Sequence, residues 1–325
     1  MSLSLNMKIT TIGGGTGHFV LLSALKQIPG AEITAVVSMA DSGGSTGRIR
    51  DELGALPPGD ILKALLALSS VEQTAIRSML LQRFTAGTLA GHNAGNMLLT
   101  VLSQYSGNFL DAVAAMGELL RVRGTVLPVT VGQLTLRAEL EDGSLIIGET
   151  NIDVPKHNPN LRIKRVWLEP NAMMLPQVGA AFAGAEAIVI GPGDLFTSLI
   201  PVLLVQGVRE ALMRSSAKKI FISNTMTKRG ETSGFSLSDF VRLLETYLGG
   251  PVDVVIANND APPAAILQRY AGDASYPVKN DLPEFFEGRQ VVSAPLLSRG
   301  GELARHDAGK LARALEGVLA AKIRS

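Results

Sequence analysis

The sequence contains no cysteine, which excludes disulfides, thiol nucleophiles and zinc–thiolate sites together. Nor does it contain a long basic run. The formal net charge is +1, charged residues make up 18% of the chain, and Lys164-Arg165 and Lys218-Lys219 are isolated pairs. No nucleic-acid partner is therefore expected. No apolar run is long enough to span a bilayer, and no charged start followed by an apolar stretch marks a secretory signal, so the expected location is the cytoplasm. Repeats at a solenoid period and low-complexity linkers are also missing. What remains is a chain of 325 residues, 46% hydrophobic, with a mean hydropathy of +0.25. That is ample for one large core or two modest ones. Residues 1–6 are polar and precede a second methionine, Met7; they read as a leader outside the fold.

What the chain does have is glycine at the ends of apolar runs. Met7 to Ile12 reads as a buried strand, Gly13-Gly14-Gly15-Thr16-Gly17 as a tight turn, and His18 to Ile28 as a helix with Phe19, Leu22, Leu25 and Ile28 near helical spacing. Strand, glycine turn and helix start form an anion-holding device, because the backbone comes close and the first helical N–H groups point at the ligand. A second apolar run, Ile33 to Ala40, enters Asp41-Ser42-Gly43-Gly44-Ser45-Thr46-Gly47-Arg48. Pro57 and Pro58 forbid helix, and Asp60 is placed to cap the helix after it. Residues 61–120 are mostly helical in pattern. Residues 121–170 change to strands, with Glu141-Asp142-Gly143 as a hairpin turn, and are expected as an antiparallel excursion on one edge of the main sheet. Strand and helix alternate again from Ala172. The whole predicts an α/β, doubly wound, mostly parallel sheet in a single domain over 7–325, with a helical insertion and a β excursion.

In such a sheet, ligands bind beyond the carboxyl ends of the strands, where strand order reverses. Five predicted strands end in polar or glycine clusters, at Gly13, Asp41, Gly191, Asn224 and Asn258. The candidate ligand-binding residues follow from these loops. Gly13, Gly14, Gly15, Thr16 and Gly17 form the first, although His18 stands where the dinucleotide fingerprint wants its third glycine, and no Gly-Lys-Ser/Thr follows. Asp41, Ser42, Gly43 and Gly44 form the second, with Arg48 available to neutralise a phosphate. Gly191, Gly193, Asp194 and Ser198 form a third. Asn224 and Thr227 close a fourth, Asn258 a fifth, and His92, Asn93 and Asn96 form a polar knot before an apolar helix. Each has a plainer alternative: a turn needed for packing, a helix cap, a solvated arginine or a structural histidine. Asp41 and Asp60, with Asp194 as a third candidate, are the acids able to hold a Mg²⁺ ion that also touches phosphates.

Taken in order, Gly-Gly-Gly-Thr-Gly at 13–17, Ala-Asp-Ser-Gly-Gly-Ser-Thr-Gly-Arg at 40–48, Leu-Pro-Pro-Gly-Asp at 56–60, Gly-His-Asn-Ala-Gly-Asn at 91–96, Gly-Pro-Gly-Asp-Leu-Phe-Thr-Ser at 191–198, Asn-Thr-Met-Thr at 224–227 and Arg-His-Asp at 305–307 form a recognisable set. The set resembles the YvcK-like gluconeogenesis factors, a branch of the superfamily that includes 2-phospho-L-lactate transferase (CofD). The resemblance implies a Rossmann-like fold and a cytoplasmic factor that binds a nucleotide or nucleotide sugar such as UDP-N-acetylglucosamine. It further implies a role in cell shape, wall synthesis and growth on gluconeogenic carbon sources, with a homo-oligomer and cell-wall-synthesis proteins as partners. A tyrosine and an arginine near the C-terminus contact the ligand in that family, and Tyr270 and Arg305 look like them. The related transferases use Mg²⁺ with a nucleoside-diphosphate-linked acid, and their second loop typically carries paired aspartates. Here Ser42 follows Asp41, which removes one metal carboxylate and counts against transferase chemistry. An NAD(P) dehydrogenase is the third reading, opposed by His18 in the fingerprint position.

Overall fold

The structure is a computed structural model that describes residues 7–71 and 75–320. Residues 1–6 and the end of the last predicted helix, from 321 on, lie outside the described residues. Strand β1 (Met7–Gly13) runs into helix α1 (Gly15–Leu25) and strand β2 (Ala31–Val37). Helices α2 (Gly44–Leu53), α3 (Gly59–Leu68), α4 (Ala75–Leu81), α5 (Ala94–Ser106) and α6 (Phe109–Leu119) follow. Then come β3 (Thr125–Pro128), β4 (Thr135–Leu140), β5 (Leu145–Ile147), the short helix α7 (Glu149–Asp153) and β6 (Ile163–Glu169). Beyond these, α8 (Pro176–Gly184) leads to β7 (Ala187–Ile190) and a π-helical turn over Leu195–Leu199 that continues as α9 (Ile200–Leu203). The rest is α10 (Val208–Arg214), β8 (Lys218–Ile222), α11 (Leu237–Leu248), β9 (Val254–Asn258), α12 (Ala264–Gly272), β10 (Phe285–Phe286), β11 (Arg289–Ala294) and α13 (Ala308–Ala320).

The main sheet has the order β10-β11-β9-β8-β7-β1-β2-β3, and every pair except β10–β11 is parallel. The chain winds outward from β1 to β2 and β3, then returns to β7 on the other side of β1 and winds the opposite way. The strand order therefore reverses between β1 and β7, which is where the fold places a ligand crevice. Central strands are buried on both faces, as their unbroken apolar runs require: Ala187 to Ile190 are all under 2% exposed. The doubly wound expectation is met.

The β excursion is placed differently from the sequence expectation. Thr125–Pro128 does pair with the edge of the main sheet, but in parallel with β2. Strands β4, β5 and β6 form a separate antiparallel sheet in the order β5-β4-β6, joined at β4–β5 by the predicted Glu141-Asp142-Gly143 turn, with Gly143 at φ 84°. The physical reason is the alternation in β4, where Leu136, Ala138 and Leu140 are fully buried. That face packs into the same core as the main sheet, rather than extending the sheet edge. The sequence carries no helical period between Gly44 and Leu53, yet helix α2 forms there and opens inside the second glycine loop. No helix among the described residues is long and apolar enough to cross a membrane.

Candidate functional site

Over the carboxyl ends of β1, β7 and β8 lies a cleft of about 390 Å³. Its base is the first glycine loop. Helix α1 starts at Gly15, and its N-cap, Gly14, is extended and gives no side-chain hydrogen bond to the first turn. The first-turn amides are thus free of side-chain caps, and the turn carries no acid. Gly17 is obligatory for packing, because a Cβ there would collide with the Pro192 carbonyl of the third loop. A Cβ on Gly14 would sit 2.6 Å from Asp60 Oδ2, so Asp60 is pressed against the first glycine loop. Beneath the loop, the ring Nε2 of buried His18 lies 2.7 Å from Thr11 Oγ1. Burial pulls His18 down to about 4, against an upward pull from Asp60, so it supports the turn as a neutral imidazole.

Gly193, Asp194 and Ser198 line the cleft beside the glycine loop, and Asn224, Thr227 and Lys228 line it after β8. Lys228 is the cation of a compact ionic group. Its ammonium pairs with Asp153, lies 2.8 Å from Asp194 Oδ2, and lies 3.0 Å from Glu231 Oε1. The three acids bring carboxylate oxygens within 4.8 Å of one another. Glu231 is buried, and burial outweighs Lys228 to hold its carboxyl well above the usual range. Burial pulls Lys228 downward, yet the charges of Glu231, Asp194 and Asp153 hold it firmly protonated.

A second acidic group adjoins the glycine loop from the other side. Burial, and then the charge of Asp60, raise Asp41 above the ordinary carboxylate range, although Gly43 N–H donates to its Oδ1 at 2.9 Å. Lys63 donates to Asp60 Oδ1 at 2.9 Å. Burial lowers Lys63, but the charge of Asp60 and this hydrogen bond raise it on balance. Glu149, from α7, completes the group: burial and the charge of Asp41 push it up to about 7. Asp194 is not a member. The three aspartates proposed for one Mg²⁺ do not gather, since Asp194 stands with Asp153 and Glu231.

A family model described as 2-phospho-L-lactate transferase CofD matches residues 9–297. The chain belongs to the CofD family. Within it, the chain is similar to the gluconeogenesis factor of Bacillus subtilis, 40% identical over 316 residues that cover 96% of this chain and 98% of that one. The gluconeogenesis factor of Listeria innocua is 38% identical over 323 residues, covering 98% of both. Among solved structures, a Bacillus halodurans member of the UPF0052 family superposes with a TM-score of 0.88 at 38% identity, covering 94% of this chain and 98% of that chain.

Against the CofD family pattern, Ser42 is the departure in the second loop, and the structure sets another carboxylate beside it. Glu149 Oε2 accepts from Ser42 N–H at 3.3 Å, while Ser42 Oγ lies 3.1 Å from Thr150 Oγ1. Of the residues singled out in the sequence, Gly14 to Gly17, Gly193, Asp194, Ser198, Asn224, Thr227, Tyr270 and Arg305 line the one cleft. Others lie apart from its lining. Arg48 donates to the carbonyls of Ala90 and Thr88 and so pins that loop. Asn93 caps α5 by accepting from Asn96 N–H at 3.1 Å, and buried His92 meets Ser45 Oγ through Nδ1 at 3.2 Å. Asn258 Oδ1 accepts from Asp260 and Leu296 N–H and so shapes its own turn. Gly13 and Gly191 close their strands, and Gly43 and Gly44 open α2. Asp60 lies in the first turn of α3 without capping it, its carboxylate going to Lys63.

Sequence reasoning missed Glu149, Asp153, Lys228 and Glu231. Lys228 had a signal, since it directly follows the Asn-Thr-Met-Thr turn. Glu149 and Asp153 had none, because they arrive on a five-residue helix carried by the inserted sheet.

Proposed function

We propose that this chain is a nucleotide-sugar-binding factor, for a ligand of the UDP-N-acetylglucosamine kind, that serves growth on gluconeogenic carbon sources, cell shape and wall synthesis. One observation carries the reading: the uncapped amides that open α1 belong to the glycine loop that lines a nucleotide-sized cleft. The amides take the diphosphate. Tyr270 and Arg305, which line the same cleft, take the base or sugar. The names of the Bacillus subtilis and Listeria innocua relatives support the role in gluconeogenic growth.

The second reading is a Mg²⁺-dependent transferase acting on a nucleoside-diphosphate-linked acid, and the position of Glu149 beside Ser42 favours it. The residues fit the ion. Asp41, Asp60 and Glu149 are hard oxygen donors, and burial together with the charge of Asp60 raises the proton affinity of Asp41, an effect a divalent cation would offset. Asp41 and Asp60 would hold Mg²⁺, which would supply positive charge next to the diphosphate.

Thermal melting with UDP, UDP-N-acetylglucosamine, GDP and NAD tests the first reading. A ligand at a hundred times its Kd stabilises by about 2.7 kcal/mol, and the UDP compounds are expected to do so without turnover. Absence of any shift at millimolar nucleotide would discard the reading, and formation of a transfer product would favour the second.

A further inference from the structure

We propose that Asn224 and His306 form an uncharged hydrogen-bonding subsite in the cleft that recognises a neutral N–H/C=O edge of the ligand. The inference deepens the nucleotide-sugar reading and rests on it. Such an edge has two sources in that ligand class: the imide of the base, or the acylated amino group of the sugar.

The observation is a pair of orphans. Asn224 Oδ1 and His306 Nε2 are buried without a hydrogen-bond partner, and both residues line the cleft. His306 is only 8% exposed. Folded proteins pair nearly all such atoms, and leaving one unmet is unfavourable unless a ligand completes it. Neither group is free to seek a partner elsewhere, because its backbone is fixed. Thr225 Oγ1 donates to the Ala304 carbonyl at 2.8 Å, which stitches the segment after β8 to the segment before α13. Ser298 N–H donates to Arg305 O at 2.8 Å, and Asp307 N–H to Leu296 O at 2.7 Å, which holds His306 from both sides. The surroundings are apolar: Met226, Leu297 and Ala304 form a small buried cluster with Ile266 and Tyr270 packed on it.

These surroundings select the chemistry of the guest. Burial pulls His306 down to about 4, so the ring is neutral at physiological pH and offers no charge to an anion. An ionised phosphate presents only acceptors, which repel the Asn224 carbonyl oxygen. The group that fits must donate to Asn224 Oδ1 while accepting from the Nε2–H tautomer of His306. An amide or imide edge carries that donor and acceptor side by side. Exchanging the O and N of the Asn224 amide inverts both roles, and the match then takes the Nδ1–H tautomer of His306, which accepts through Nε2. The phosphates are thereby directed to the glycine-loop end of the cleft.

The test is calorimetric titration of wild-type protein, Asn224→Leu and His306→Leu with UDP-N-acetylglucosamine, UDP-glucose, UDP and CDP. Each variant is expected to weaken binding about 10- to 100-fold, with His306→Gln recovering most of it. If the base supplies the edge, all three uridine compounds lose affinity alike. If the sugar supplies it, UDP-N-acetylglucosamine alone falls, to the level of UDP-glucose. Folded variants that keep wild-type Kd within about twofold for every compound overturn the subsite while leaving the nucleotide-sugar reading standing. Failure of the wild type to bind any of the four removes both. Nitrogen NMR of the His306 ring in the wild type covers variants that do not fold: Nε2 must shift on saturation, and an unmoved signal overturns the proposal.

Discussion

The two acidic groups that flank the first glycine loop differ in how their charge is balanced. Around Lys228, three carboxylates share one ammonium that reaches all of them. Around Asp60, the ammonium of Lys63 is hydrogen-bonded to one carboxylate oxygen, and both Asp41 and Glu149 have raised proton affinity, as does buried Glu231 in the first group. The first group is a closed ionic unit that fixes the loop after β8 against α7 and the π-helical turn. The second keeps carboxylates whose repulsion is only partly relieved. An internal cation thus makes one cluster a structural clasp, and the other is the group for which a divalent ion is proposed.

The largest way to break this contrast is Lys228→Met. It strands three carboxylates, Glu231 among them with its side chain 1% exposed, and should destabilise the protein by about 3–5 kcal/mol in urea unfolding. A loss below about 1 kcal/mol would mean that the clasp is ornamental. Next in size, millimolar Mg²⁺ should raise the melting temperature of the wild type. Asp41→Asn should abolish that rise and Asp153→Asn should leave it, whereas an equal loss in both would erase the distinction. The smallest effect concerns pH. Glu149 is raised in the folded state to about 7 from an unfolded value of 4.5, so the folded protein binds more protons between those values. Its contribution to stability is complete below about 4.5 and is lost as pH rises through about 7. Glu149→Gln should flatten that decline, and a stability profile parallel to wild type across the window would contradict the assignment.

The sheet and the glycine loops were legible because each chemical signal is local: an apolar run, then residues that tolerate a turn. Strand β3 was harder, since its parallel partner β2 lies about ninety residues earlier and no hairpin announces the pairing. Helix α2 was passed over because its buried positions include Ser45, Thr46 and Gly47, which pack closely but carry no hydrophobic period. In the site, Gly14 to Gly17 and Asp194 could be found from their loops. The groups that set the electrostatics could not, because Glu149, Asp153 and Glu231 come from segments whose proximity only the tertiary structure creates. His306 was visible only as the neighbour of Arg305; its unpaired nitrogen is a property of packing.

Helix α7 contributes Glu149 to one acidic group and Asp153 to the other, and it hangs from the small antiparallel sheet rather than from the main sheet. The tuning of the site is therefore modular. A relative that exchanged only residues 131–170 would keep its glycine-loop cleft and acquire a different balance of protons and charge around it.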